Sequence, residues 1–286
     1  MSQNSYSETV AQLFNYQEGT GKLSPDKWPN YEKSGITTEH IPELISLATD
    51  EDFYNIDHNA LLSDESGLFE YAPIHAIRIL GKFRVEAAIE PLISLLSKLD
   101  DFDFNNEVLS ILDEELKNVL SLIGLPVIPA LSTYIANDSH GQFPRITAML
   151  TIKTIASVYP EHYQHCVTSL SQHLESFREN DPEFNGHIIW VLSDMNAIDC
   201  LPLIERAFQA GCVDEDVIGD YDEVLVKFGL KDITDISPKT IKATDTENPI
   251  SLNFTTSPRF KQLEKLNKAQ QKRDARRKRN LNQLGK

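Results

Sequence analysis

One short apolar pattern occurs four times in this chain, and its spacing narrows the fold more than any single residue does. Residues 89–96 read IEPLISLL, 128–135 IPALSTYI, 167–174 VTSLSQHL and 201–208 LPLIERAF. With Leu92, Leu131, Leu170 and Ile204 aligned, the first two intervals are identical and the third is slightly shorter. A period of about 40 residues, with three- and four-residue apolar spacing inside each unit, is that of stacked helical hairpins. Each hairpin is too small to bury its own apolar face, so neighbours must supply the core. The predicted fold is all-α, a right-handed α-α superhelix. A further match at 41–48, IPELISLA, extends the array toward the N-terminus after a longer interval, with Leu44 in the aligned position.

Each copy is preceded by a second helical segment that completes a hairpin. Residues 73–81 open on Pro73, which suits the first turn of a helix, and close near Gly81. Ile111, Leu112, Leu116, Val119, Leu120 and Ile123 recur at helical spacing before Gly124 and Pro126 end the run. Residues 144–159 and 185–195 supply the third and fourth first-helices. Pro91, Pro129 and Pro202 sit at the start of three of the four repeated runs, where a missing N–H costs little. The organisation expected is an N-terminal cap at 1–37, with one helix at 8–17 and a loop through Trp28, Pro29 and Tyr31. A repeat array with its closing cap follows at 38–230, then a linker at 231–258 and a flexible basic tail at 259–286.

Charge divides the chain sharply. Of its 27 basic side chains, 11 lie in residues 259–286, against only Glu264 and Asp274, a local balance of +9. The rest of the chain holds the other 16 basic and 41 acidic side chains, a balance of −25. An acidic body repels phosphate backbones, so the array is a poor wrapper of nucleic acid, and a basic tail has the opposite preference. Lys272, Arg273, Arg276, Arg277, Lys278 and Arg279 are the expected polyanion contacts, with RNA or a ribosome as the partner. Cys166, Cys200 and Cys212 form no pairing framework. Residues 1–17 carry no basic start followed by an apolar run, and no stretch approaches the roughly 20 apolar residues of a membrane span. A soluble, reducing, cytoplasmic setting without membrane contact is expected.

Residues 72–83 (APIHAIRILGKF) with 87–92 (AAIEPL) resemble a repeat of the bacterial HEAT family, including the phycobilisome-lyase-like HEAT repeats. Residues 201–208, followed by Val213-Asp214-Glu215 and Gly219-Asp220, are similar to the closing repeat of uncharacterised members. The resemblance covers roughly residues 38–230 and implies a scaffold, an adaptor, a chaperone-like binder or, occasionally, an enzyme. Some relatives end in a zinc-binding cysteine cluster within a basic tail. This chain has a similar tail but no cysteine beyond Cys212, so that module is missing.

Candidate chemistry is sparse. His162, His165 and Cys166 share a helical face at i, i+3 and i+4, with Cys200 or His173 the only sources of a fourth metal ligand. Such a lone triplet is more often two surface histidines beside a small buried cysteine, so neither a metal nor another cofactor is expected. The His-Glu pairs of di-iron HEAT hydroxylases are absent from the sequence, and a HEAT-like DNA glycosylase would need a basic concave face. Asn185-Gly186-His187 reads as a helix-start loop rather than a phosphate cradle. No P-loop, dinucleotide glycine motif, nucleophile elbow or metalloprotease motif occurs. His75, Arg78 and Lys82 on one stripe, with Trp190 and Asp194 on another, are the candidate partner contacts. Charged stripes of this kind are more often solvated ridges. The expected function is a non-enzymatic interaction protein. A lyase- or chaperone-like protein acting on a cofactor-bearing partner is the alternative, and a tail folding back on the acidic array is a third reading.

Overall fold

The computed structural model describes residues 6–16, 19, 21–54, 71–100 and 107–232, and among them every regular element is helical. The chain divides after Ser176 into two compact units. The first holds α1 (Glu8–Ala11), α2 (Ile41–Ala48), α3 (Glu51–Tyr54), α4 (Ala72–Lys82), α5 (Ile89–Ser94), α6 (Glu107–Ile123), α7 (Ile128–Ala136), α8 (Gln142–Val158) and α9 (Tyr163–Glu175). The second holds α10 (Pro182–Asp194), α11 (Leu201–Gln209), α12 (Glu215–Ile218) and α13 (Tyr221–Lys227).

In the first unit the helices pack in two series. The first helices of successive hairpins touch in order, α4 on α6 and α6 on α8, and so do the second helices, α5 on α7 and α7 on α9. Leu92, Leu131, Leu170 and Ile204, the aligned positions of the repeated pattern, are all fully buried, as is Leu44 of the N-terminal match. Every copy is entered the same way, by a 3₁₀ turn running directly into an α-helix. These turns are Thr38–His40, Glu86–Ala88, Leu125–Val127, Pro160–His162 and Ile198–Cys200. In α2, α7 and α11 proline is the second α-helical residue, where no intrahelical donor is lost.

The first helix closes near Gly81, as expected, with Lys82 its last residue. Gly81 itself lies inside α4, where a Cβ would come 2.9 Å from Val119 Cγ2 and 3.2 Å from its Cα. The absent side chain lets α4 and α6 approach closely. The chain leaves the helix through Arg84, at φ +51°, with Val85 N–H donating back to the Leu80 carbonyl at 3.1 Å. Asn196, at φ +57°, closes α10 by the same geometry. Contrary to expectation, Asn185-Gly186-His187 is no helix-start loop: α10 begins at Pro182 behind an Asp181 cap, and Gly186 is interior. A Cβ there would sit 2.9 Å from Val217 Cβ, so this glycine too serves a close helix contact.

The N-terminal helix is shorter than expected. α1 tightens into a 3₁₀ turn at Gln12–Asn15, burying Val10, Leu13 and Phe14. Phe14 meets Tyr6 and Phe53, each at 5.7 Å between ring centroids. Trp28, Tyr31 and Ile36 are buried as well, so the segment before α2 contributes to the core.

Candidate functional site

In the stripe His75–Arg78–Lys82, Lys82 is exposed, but His75 and Arg78 form neither an open partner surface nor a solvated ridge. His75 and Arg78 are fully buried, because the N-terminal segment lies across α4. Arg78 donates to the Gly19 carbonyl at 2.5 Å, to the Gly21 carbonyl at 2.8 Å and to Glu115 Oε1 at 2.5 Å. Glu115 is equally buried, so the pair exchanges charge–charge attraction for the loss of water around both groups. Burial pushes the Glu115 carboxyl above its usual range, and the Arg78 guanidinium offsets part of that.

The Tyr31 hydroxyl lies 2.7 Å from His75 Nδ1. Burial raises the Tyr31 phenol, which therefore keeps its proton and donates, leaving the neutral imidazole with hydrogen on Nε2. Burial, and then the Arg78 charge, hold the His75 ring down to about 3. Among the described residues, three buried atoms of the cluster, His75 Nε2, Arg78 Nε and Glu115 Oε2, have no hydrogen-bond partner. Lys82 reaches over the same segment, with Nζ 3.0 Å from the Pro29 carbonyl and 5.3 Å from the Tyr31 ring centroid.

Sequence reasoning does not single out Glu115, yet the chain carries a signal for it. It stands three residues after Leu112 and four before Val119, on the apolar stripe of α6. A lone carboxylate there needs a buried partner.

Trp190 and Asp194 are also engaged, within the second unit. Lys227 of α13 places Nζ 2.7 Å from Asp194 Oδ1 and 5.8 Å from the Trp190 ring centroid. Beside them Asn185 is fully buried. Its Nδ2 donates to the Phe177 and Cys212 carbonyls at 2.8 Å each, and its Oδ1 accepts from Asn180 at 2.9 Å. Asn185 is thus a polar pin between three chain segments.

His162 and His165 meet edge-on at 6.3 Å between ring centroids. Cys166 is fully buried, and burial pushes its thiol up to about 11, away from the thiolate a metal would require. His173 is turned to Ser132, with Nε2 at 2.9 Å from Oγ. Among the described residues, no group of three or more His, Cys, Asp or Glu side chains is placed to hold a metal ion.

In the first unit a groove of about 510 Å³ lies between the second helices α7 and α9. One wall is Leu125, Ile128, Pro129 and Ser132; the other is Gln164, His165, Thr168, Ser169 and Gln172. No Asp, Glu, Lys or Arg lines it, which is notable in an acidic body. Leu125 is 36% exposed, and Ser169 Oγ is buried with no hydrogen-bond partner among the described residues. Phe83, Leu125 and Val158, three of the exposed large apolar side chains, all lie at turns joining a first helix to its second. In the second unit a hollow of about 380 Å³ is rimmed by Glu205, Glu215, Asp220 and Asp222 around Phe208 and Tyr221. Three of these acids are already used: Glu205 accepts from Gln209 Nε2 at 3.1 Å, Asp220 caps α13, and Asp222 pairs with Lys231 at 2.6 Å.

No single helix among the described residues is long and apolar enough to cross a membrane. The basic-tail contacts Lys272, Arg273, Arg276, Arg277, Lys278 and Arg279 lie outside the described residues, as does nearly all of the expected linker. Set against protein-family models, curated proteins and solved structures, the chain matches none.

Proposed function

We propose that this chain is a non-enzymatic, HEAT-like repeat protein that grips a protein partner through the face of its second helices. Its hairpins stack as a right-handed superhelix, it works as a soluble scaffold in the cytoplasm, and its basic tail contacts RNA or another polyanion. The observation that carries the binding role is the groove between α7 and α9, concave, largely apolar and free of ionised side chains. Apolar side chains gathered in a concavity with a few polar groups at its edge suit the apolar face of a partner better than water. The matched burial of Leu92, Leu131 and Leu170, with the ordered contacts of the two helix series, supports the superhelical reading.

Thr168 is exposed on the groove wall, so Thr168→Trp fills the groove without disturbing the core. Affinity purification from native cells, with wild type and Thr168→Trp compared by quantitative mass spectrometry, tests the reading. A protein recovered stoichiometrically with wild type and lost from the variant is expected. Identical recoveries from both would remove the groove from the function.

A further inference from the structure

The groove takes one class of occupant better than others, an inference that rests on the partner-binding role proposed above. From residue 125 to 136 the sequence holds no Asp, Glu, Lys or Arg, and from 160 to 175 it holds only Glu161 and Glu175. Glu161 stands in the 3₁₀ turn leading into α9, four residues before His165. Glu175 ends α9, three residues after Gln172. At three- and four-residue spacing the run 161, 165, 168, 172, 175 follows one face of the helix. A neutral groove is therefore bounded at each end by an exposed carboxylate, the two being about 20 Å apart at 1.5 Å per residue. Neither makes an ion pair with another described residue.

An extended peptide would bring a row of backbone donors and acceptors against a wall offering only a few side-chain hydroxyls and amides. A helix satisfies its own backbone and needs only side-chain partners. The exposed Gln164, Thr168 and Gln172 side chains offer such hydrogen bonds, and the Leu125, Ile128 and Pro129 wall offers apolar contact. We infer that the groove binds an amphipathic helix with an uncharged contacting stripe and basic side chains about four helical turns apart, which reach Glu161 and Glu175.

Panning a displayed library of random peptides, each long enough for about five helical turns, against the full-length chain, then measuring selected peptides by calorimetry, tests this. Two variants are compared with wild type: Thr168→Trp, which blocks the groove, and Glu161→Lys/Glu175→Lys, which reverses both exposed ends. Selected helices should carry Lys or Arg about four turns apart. They should lose more than tenfold in affinity for Thr168→Trp and about tenfold for the double reversal, while Glu-ended versions of the same peptides gain. Peptides sensitive to Thr168→Trp but lacking spaced basic residues, and indifferent to the reversal, would overturn the partner class and leave the groove standing. Peptides indifferent to Thr168→Trp, or no selected binders, would overturn both.

Discussion

At the scale of single residues, the cluster under the N-terminal segment ties the start of the chain to α4 and α6 by charge as well as by apolar area. Arg78→Met removes the guanidinium from two carbonyls and strands Glu115 as a buried carboxylate. Urea unfolding should show a loss of about 3–5 kcal/mol. Adding Glu115→Leu to that variant should cost much less than its effect alone, and strict additivity in the double-mutant cycle would mean the pair does not interact. The same cluster predicts a pH response. His75 is held near 3 in the folded chain, against about 6.5 when unfolded. Above pH 6.5 both states are neutral and its contribution is complete. As pH falls from 6.5 toward 3 the unfolded histidine takes up a proton that the folded one refuses, so stability is lost. Glu115, raised by burial, works in the opposite direction, so the histidine term is read as wild type minus His75→Gln. That difference should be flat above about pH 6.5 and fall below it; a flat difference down to about pH 4 would refute the assignment.

At the scale of elements, the repeated unit is a 3₁₀ turn, an α-helix and one fully buried aliphatic position, and stability should track that position. Leu131→Ala opens a cavity between helices held by neighbours on both sides, and should cost about 2–5 kcal/mol in chemical denaturation. Gly81→Val tests the opposite fault. Its side chain would strike Val119 at a distance real contacts do not reach, so α4 and α6 must separate, at a cost of about 1–3 kcal/mol or more. Gly81→Val combined with Val119→Ala should recover a substantial part of that loss, whereas no recovery would mean the strain lies elsewhere.

At the scale of the whole molecule, the decisive property is the separation of charge between an acidic body and a basic end. Six basic residues within 272–279 add their fields over a distance near the ~8 Å Debye length at physiological salt. RNA binding by the full chain should therefore exceed that of a chain ending at residue 258 by at least tenfold. Its log–log salt slope should be roughly −0.7 per phosphate neutralised on single strands. Equal affinities for the two chains would remove the tail from any polyanion contact.

The sequence alone settled the helical class, because apolar residues three and four apart can be buried together only on a helix. The recurrence of that pattern at a near-constant interval located every second helix that the structure describes. Leu92, Leu131, Leu170 and Ile204 were legible as core for the same reason: local periodicity reports which face is apolar. Which polar groups join that core was not legible, since burial of a charge depends on partners distant in the chain. His75 and Arg78 share a helical stripe that reads as exposed, and only the return of residues 19–31 across α4, with Glu115 from α6, places them inside. Gly81 stands near a helix end, as its place in the sequence implies, whereas Gly186 reads as part of a helix-start loop because glycine is permissive of backbone turns. Tertiary contact adds that a Cβ at either position would strike a neighbouring helix. The groove is the same lesson in reverse. Neither α7 nor α9 carries a motif, and their shared concavity exists only where two helices far apart in sequence lie side by side.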